Sequence, residues 1–162
     1  MNRKSGHPSQ PVSFAQRVFW GSSLAAVVGV LGLLATQQSV AAGIVVYKSP
    51  TCGCCGKWVK HMEDAGFSVD VENRGDLTPI KAELGVPGRM QSCHTAKVGD
   101  YIVEGHVPAD LVKRMLDEQP DIKGLAVPGM PMGSPGMEGP RKDPYNVIAV
   151  GNDGSARVYA QR

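Results

Sequence analysis

Four cysteines carry the chemistry this sequence can offer: Cys52, Cys54 and Cys55 lie within one Cys-Gly-Cys-Cys run, and Cys93 stands beside His94. Thiolates ligate soft metals and attack disulfides, so the set points to metal binding, thiol redox chemistry or both. A C-x-x-C alone is a moderate signal. An extra cysteine inside it and a distant Cys-His pair make the combination more specific. Purely structural bridging is the competing reading. A 52–54 bond closes a very tight ring and a 54–55 bond joins neighbours, so 52–55 is the locally comfortable pairing. It leaves Cys54 to meet Cys93, and two bonds crowded into one place brace a small fold poorly.

Soft donors also gather further along. Met130, Met132 and Met137 lie in Val-Pro-Gly-Met-Pro-Met-Gly-Ser-Pro-Gly-Met, residues 127–137, where almost no other side chain can hold a ligand. Thiolates and thioethers together select Cu(I), whereas magnesium, calcium and manganese prefer oxygen. The expected metal is copper, as Cu(I) or a small multinuclear thiolate cluster. Its expected ligands are Cys52, Cys54, Cys55 and Cys93, with His94, Met130 and Met132 completing or shielding the site. Zinc would leave the methionines unexplained, and adjacent Cys54 and Cys55 are awkward ligands for one tetrahedral ion. An iron-sulfur cluster accounts for four cysteines but not for the methionine segment. Met62 and Met115 fall on inner helix faces and read as core. His61 is expected on a helix surface, and His106 is expected to orient a loop.

The elements that must position these groups follow from the hydrophobic pattern. Ile44 to Tyr47 is a short β-branched apolar run suited to a buried strand. The cysteine run follows in turn composition, then Trp58, Met62 and Ala65 recur at helical spacing over 57–65, with Gly66 as stop. A helix N-terminus beside the cysteines favours thiolate over thiol. Phe67, Val69 and Val71 alternate with polar residues as a half-buried strand does. Residues 80–84 predict a second helix. Strands over 95–98 and 101–103, joined by Gly99-Asp100, predict a hairpin. Pro108-Ala109-Asp110 opens a third helix over 111–118. Residues 124–144, rich in Gly, Pro and Met and without period, predict a long ordered or semi-ordered loop. A C-terminal hairpin over 145–150 and 156–160 closes an α/β chain of order β-α-β-α-β-β-α plus two late strands.

The N-terminal segment has the three parts of a secretory signal: basic Arg3, Lys4 and Arg17, an uncharged run over 22–35, then small residues around Ala41 and Ala42. The apolar run is short for a membrane span, which needs about 20 residues, so membrane attachment is expected only if the segment stays uncleaved. Residues 1–41 therefore read as a signal peptide and 42–162 as one domain. Without the signal, 14 basic residues face 15 acidic ones. No basic stripe suits nucleic acid, which is excluded as a partner class. Export also places the cysteines in an oxidising compartment.

Cys52-Gly53-Cys54-Cys55, Cys93-His94, the segment Glu104-Gly105-His106-Val107-Pro108 and the segment Gly124-Leu125-Ala126-Val127-Pro128-Gly129-Met130-Pro131 together resemble the CopG-like periplasmic copper-resistance proteins, over essentially all of 44–160. The resemblance implies a thioredoxin-like fold, a copper cluster on Cys52, Cys54, Cys55 and Cys93 with His94 as neighbour, and a role in copper tolerance through a change in copper oxidation state. It implies periplasmic location, with copper ions and other periplasmic copper-efflux or resistance proteins as partners. Two other readings stay open: a thiol-disulfide oxidoreductase in which Cys52 attacks and Cys55 resolves, and a copper chaperone to an efflux system.

Overall fold

The computed structural model describes residues 43–162; the expected signal peptide, 1–41, lies outside the described residues. Seven strands form one sheet. They are β1 (Ile44–Lys48), β2 (Val69–Asn73), β3 (His94–Val98), β4 (Tyr101–Glu104), β5 (Gly124–Ala126), β6 (Asn146–Val150) and β7 (Ala156–Gln161), in the order β2-β1-β3-β4-β5-β6-β7. Among the described residues three α-helices accompany them: α1 (Gly53–Asp64), α2 (Thr78–Glu83) and α3 (Ala109–Glu118). The chain is thus a mixed α/β protein. β1 runs parallel to β2 and antiparallel to β3, and β3 and β4 form the expected hairpin with Val98 opposite Tyr101.

The core is built where apolar faces of helix and sheet meet. Trp58 and Met62 of α1, Val112 and Met115 of α3, and Val46 and Val103 of the sheet are all fully buried. Trp58 also donates its Nε1 proton to the Val107 carbonyl at 2.9 Å, so its one polar atom is satisfied inside the core, as buried tryptophans require. α3 begins after Pro108, and its first backbone donor, Ala109 N–H, is accepted by His61 Nε2 at 3.1 Å. That bond caps one of the orphan donors at a helix start and corrects the expectation for His61. It is a half-buried cap joining α1 to α3.

Three other sequence expectations change. α1 starts at Gly53 rather than 57, because the cysteine run supplies its N-cap and first turn. The segment expected to be loop from 124 opens with a buried strand, β5, wedged between β4 and β6. Its three residues, Gly-Leu-Ala, are too few to show a period. Gly124 lies so close to the Ile102 carbonyl that any side chain there would collide with it. In β2, Val71 is 42% exposed rather than buried; β2 is an edge strand paired only with β1.

Candidate metal centre

β1 ends at Lys48 and the chain turns through Ser49-Pro50-Thr51, with Cys52 N–H donating to the Ser49 carbonyl at 3.1 Å. This turn sets Cys52 as the N-cap of α1 and places Cys54 and Cys55 in its first turn. Cys52 and Cys55 are joined by a disulfide with Cα atoms 5.4 Å apart, and Cys54 and Cys93 are free. Cys54 Sγ lies 3.5 Å from Cys52 Sγ. Cys93, just before β3, meets this turn: Cys55 Sγ is 3.8 Å from the Cys93 carbonyl oxygen. All four Sγ atoms lie within 4.8 Å of one another, so two stretches 38 residues apart converge on one point.

Two imidazoles complete the surroundings of Cys93. His94 Nδ1 lies 3.4 Å and His106 Nε2 2.9 Å from Cys93 Sγ, and these three groups form a second potential ligand set. The His106 tautomer is fixed by its other nitrogen. Nδ1 is 2.7 Å from the Pro135 carbonyl, which can only accept, so Nδ1 carries the proton and Nε2 presents its lone pair to Cys93. This is the way a backbone carbonyl orients a metal-ligating histidine. His94 is wholly buried between the rings of Trp58, 4.4 Å away, and His106, 5.2 Å away. Its Nε2 is the buried side-chain polar atom that finds no hydrogen-bond partner among the described residues.

Burial keeps these groups uncharged. It lowers the His94 pKa to about 3, with the neighbouring His106, Lys81 and Lys48 acting in the same direction. Desolvation also lowers His106, against the opposing bond to Pro135. The Cys93 thiol is pushed up to about 11, first by burial and then by the neighbouring Cys54. The expectation that a helix N-terminus favours thiolate therefore does not extend to Cys93, which stands outside α1 and is protonated at neutral pH without metal. Neutral imidazoles and a thiol that can yield its proton suit a soft cation.

A buried ion pair holds the Cys93 segment in place. Lys81 of α2 and Glu104 of β4 are 5% and 0% exposed and pair directly. Lys81 Nζ also donates to Thr95 Oγ1 at 2.8 Å, and Thr95 Oγ1 donates to Glu104 Oε2 at 2.5 Å. The remaining capacity of Glu104 Oε1 is used by Ser92 N–H at 2.6 Å. Ser92 Oγ in turn donates to the Gly129 carbonyl at 2.5 Å, tying the Cys93 strand entry to the methionine segment.

That segment packs onto the cysteine turn through Gly136. At φ +86, a Cβ there would stand 2.6 Å from the Cys54 carbonyl oxygen and 3.0 Å from Trp58 N, so only glycine allows this approach. Met130 is 52% exposed. Met132 is partly buried, and its sulfur lies 2.7 Å from where a Cβ on Gly139 would stand. The four cysteines and His94 thus come together as expected, and the methionine segment reaches the site through Gly136 and Pro135. Sequence reasoning missed His106 as a donor and Lys81, Thr95 and Glu104 as supports.

An α/β sheet protein presenting four sulfurs and two neutral imidazoles at one strand-helix junction is a metal-binding class of site. Residues 90–137, which span Cys93, His106 and the methionine segment, match a family model described as a protein of unknown function, DUF411. Two solved structures, titled "Copper resistance protein copG- Form 2" and "Copper resistance protein copG- Form 1", are each 46% identical to this chain with a TM-score of 0.71. Each alignment covers 75% of this chain and 98% of that one. No curated protein matches. The chain belongs to the CopG copper-resistance family, and its function is copper-related.

Proposed function

We propose that this protein is an exported, periplasmic copper-binding protein that serves copper tolerance by holding Cu(I), singly or as a small thiolate cluster, on Cys52, Cys54, Cys55 and Cys93. One observation carries the reading: four Sγ atoms within 4.8 Å of one another, beside a His106 Nε2 whose lone pair is aimed at them. Thiolate sulfur suits soft ions, Cu(I) among them, the copper-resistance relatives favour copper, and sulfurs this close can bridge neighbouring ions. His94 and His106 supply nitrogen, and Met130 and Met132 shield or complete the site. The order β2-β1-β3-β4 with β1 parallel to β2 and β4 antiparallel to β3 supports a thioredoxin-like core, in which the strand entry bearing Cys93 faces the C-x-x-C.

Copper is cargo here, and a change in its oxidation state fits a site whose cysteine pair can itself exchange two electrons. Copper analysis of the purified protein, loaded anaerobically under reducing conditions and compared with Cys93→Ser, tests the reading. Copper bound by the parent and lost on substitution supports it. Binding that Cys93→Ser leaves unaltered overturns the four-cysteine site.

The closed Cys52–Cys55 disulfide, with Cys54 Sγ 3.5 Å from Cys52 Sγ, favours one second reading, a thiol-disulfide oxidoreductase. Reduction of insulin disulfides by the metal-free dithiol form would support it, and inertness would remove it.

A further inference from the structure

Lys48 is a buried amine outside the ligand set. In β1, Ile44, Val46 and Lys48 alternate onto the buried face of the sheet, with Val45 and Tyr47 less buried between them. A lysine thus stands where the period of the strand calls for an apolar side chain. It is 8% exposed. Its Nζ donates to the Ser49 carbonyl at 2.9 Å and to Asn73 Oδ1 at 3.2 Å, both neutral oxygens. Among the described residues no carboxylate comes within ion-pair distance of it, whereas Lys81, the other buried lysine among them, is matched by Glu104. A buried charge without a counter-charge destabilises the fold that holds it.

Ser49 ties that charge to the cysteine turn. The carbonyl that accepts the Lys48 proton also accepts Cys52 N–H at 3.1 Å, so the ammonium lies one carbonyl away from the residue that opens α1. Across the sheet Lys48 is the register partner of His94, which neighbours Cys93. Behind burial, His106 and Lys81, it also holds the His94 pKa down, so its charge is felt at both stretches of chain that build the site.

We propose that Lys48 is the counter-charge of the loaded site: its ammonium offsets the negative charge that builds up when the cysteines bind metal as thiolates. The inference rests on the four-cysteine copper reading and adds to it a residue that touches no ion. Each cysteine gives up a proton on ligation and brings one negative charge, while each Cu(I) brings one positive charge. A site holding fewer ions than thiolates is therefore anionic. Partly buried, that charge is poorly screened by water, and a fixed cation beside it lowers the energy of the loaded state. In the empty state the same cation has nothing to offset, and its burial weakens the fold.

Lys48→Met separates this role from a structural one, because the two move stability in opposite directions. The substitution removes the charge and keeps an apolar stem. The Ser49 carbonyl retains Cys52 N–H, and Asn73 is exposed to water, so no buried partner is stranded. Anaerobic, thiol-reduced protein is titrated with Cu(I) against a chromophoric chelator, and metal-free protein is unfolded in urea. Cu(I) affinity should fall about tenfold or more, while the urea midpoint of the metal-free variant equals or exceeds the parent's. Lys97→Met, which removes a solvent-facing lysine of β3, should bind Cu(I) as the parent does. No copper on the reduced parent would sink the four-cysteine reading itself. Where the parent binds copper, that reading stands, and three results overturn the present inference alone: a smaller loss of affinity in Lys48→Met, a lower urea midpoint in that variant, or an equal loss of affinity in Lys97→Met.

Discussion

His106 donates its Nδ1 proton to the Pro135 carbonyl at 2.7 Å, and this bond between a strand end and the methionine segment decides what the other face of the ring can do. It leaves an unprotonated Nε2 facing Cys93 Sγ. Residues 127–137 therefore act on the cysteine cluster through their backbone.

The first prediction concerns that backbone. Gly136→Ala forces a side chain into a left-handed residue and toward the Cys54 carbonyl, so the segment must lift and release His106. Strain of this kind costs about 1–3 kcal/mol, read as a lower denaturant midpoint of the metal-free protein. Loss of an orienting partner typically weakens a metal site about 10- to 100-fold, and Cu(I) competition titration should show a drop in that range. Unchanged affinity would mean that the segment does not position His106.

The second concerns the Lys81–Glu104 pair. Glu104→Gln leaves the Lys81 ammonium buried without its partner, and breaking such a pair typically costs about 3–5 kcal/mol. Replacing both with apolar residues, Lys81→Met with Glu104→Leu, removes the stranded charge and should recover much of the loss in chemical denaturation. Ser92 N–H, whose acceptor the Gln amide oxygen of the single variant can replace, then lacks one altogether, so Cys93 should react with iodoacetamide faster in the double variant. An alkylation rate equal to the parent's in the double variant would show that the network braces the fold without positioning Cys93.

Much of this architecture is legible in the residues. The strand runs, the Gly99-Asp100 turn and the C-x-x-C at a helix start need only local pattern, and the meeting of Cys93 with Cys52–Cys55 follows once β1 and β3 are neighbours. His106 was legible too. With Val98 opposite Tyr101 and Thr95 opposite Glu104, continuing the register puts residue 93 across from 106. Lys81 and Glu104 were not, because charged residues are almost never buried unless paired, and pairing across 23 residues leaves no periodic trace. β5 was hidden by its length. His61 carries a cap whose recipient, Ala109 N–H, belongs to another helix.

The third prediction is a pH dependence of stability. His61, His94 and His106 are all the histidines among the described residues, and burial lowers the pKa of each below 6.5. Below that value the unfolded chain takes up protons that the folded chain refuses, so stability present above pH 6.5 is lost as pH falls. His94, fully buried and lowered to about 3, contributes up to about 1.4 kcal/mol per pH unit over this interval, and the half-buried His61 and His106 add to it in the same direction. Urea unfolding of the metal-free protein between pH 7 and 5 should show a falling midpoint, with a shallower fall in His94→Gln. A flat profile over that interval would contradict neutral, buried histidines.

The fourth turns on the Cys93 proton. With its thiol held up to about 11 by burial and by Cys54, Cys93 is protonated at neutral pH, and a metal ion must displace that proton to gain a thiolate. Adding Cu(I) to weakly buffered, metal-free protein should release a proton from Cys93 as this thiol takes up the ion, and apparent affinity should rise with pH toward the thiol's own range. His106 Nε2 is already unprotonated and adds nothing to the count. Cys93→Ser should abolish the release attributable to this residue. Copper bound by the parent without any proton release near pH 7 would mean that Cys93 enters as a preformed thiolate, and that the imidazoles beside it stabilise charge rather than await a cation.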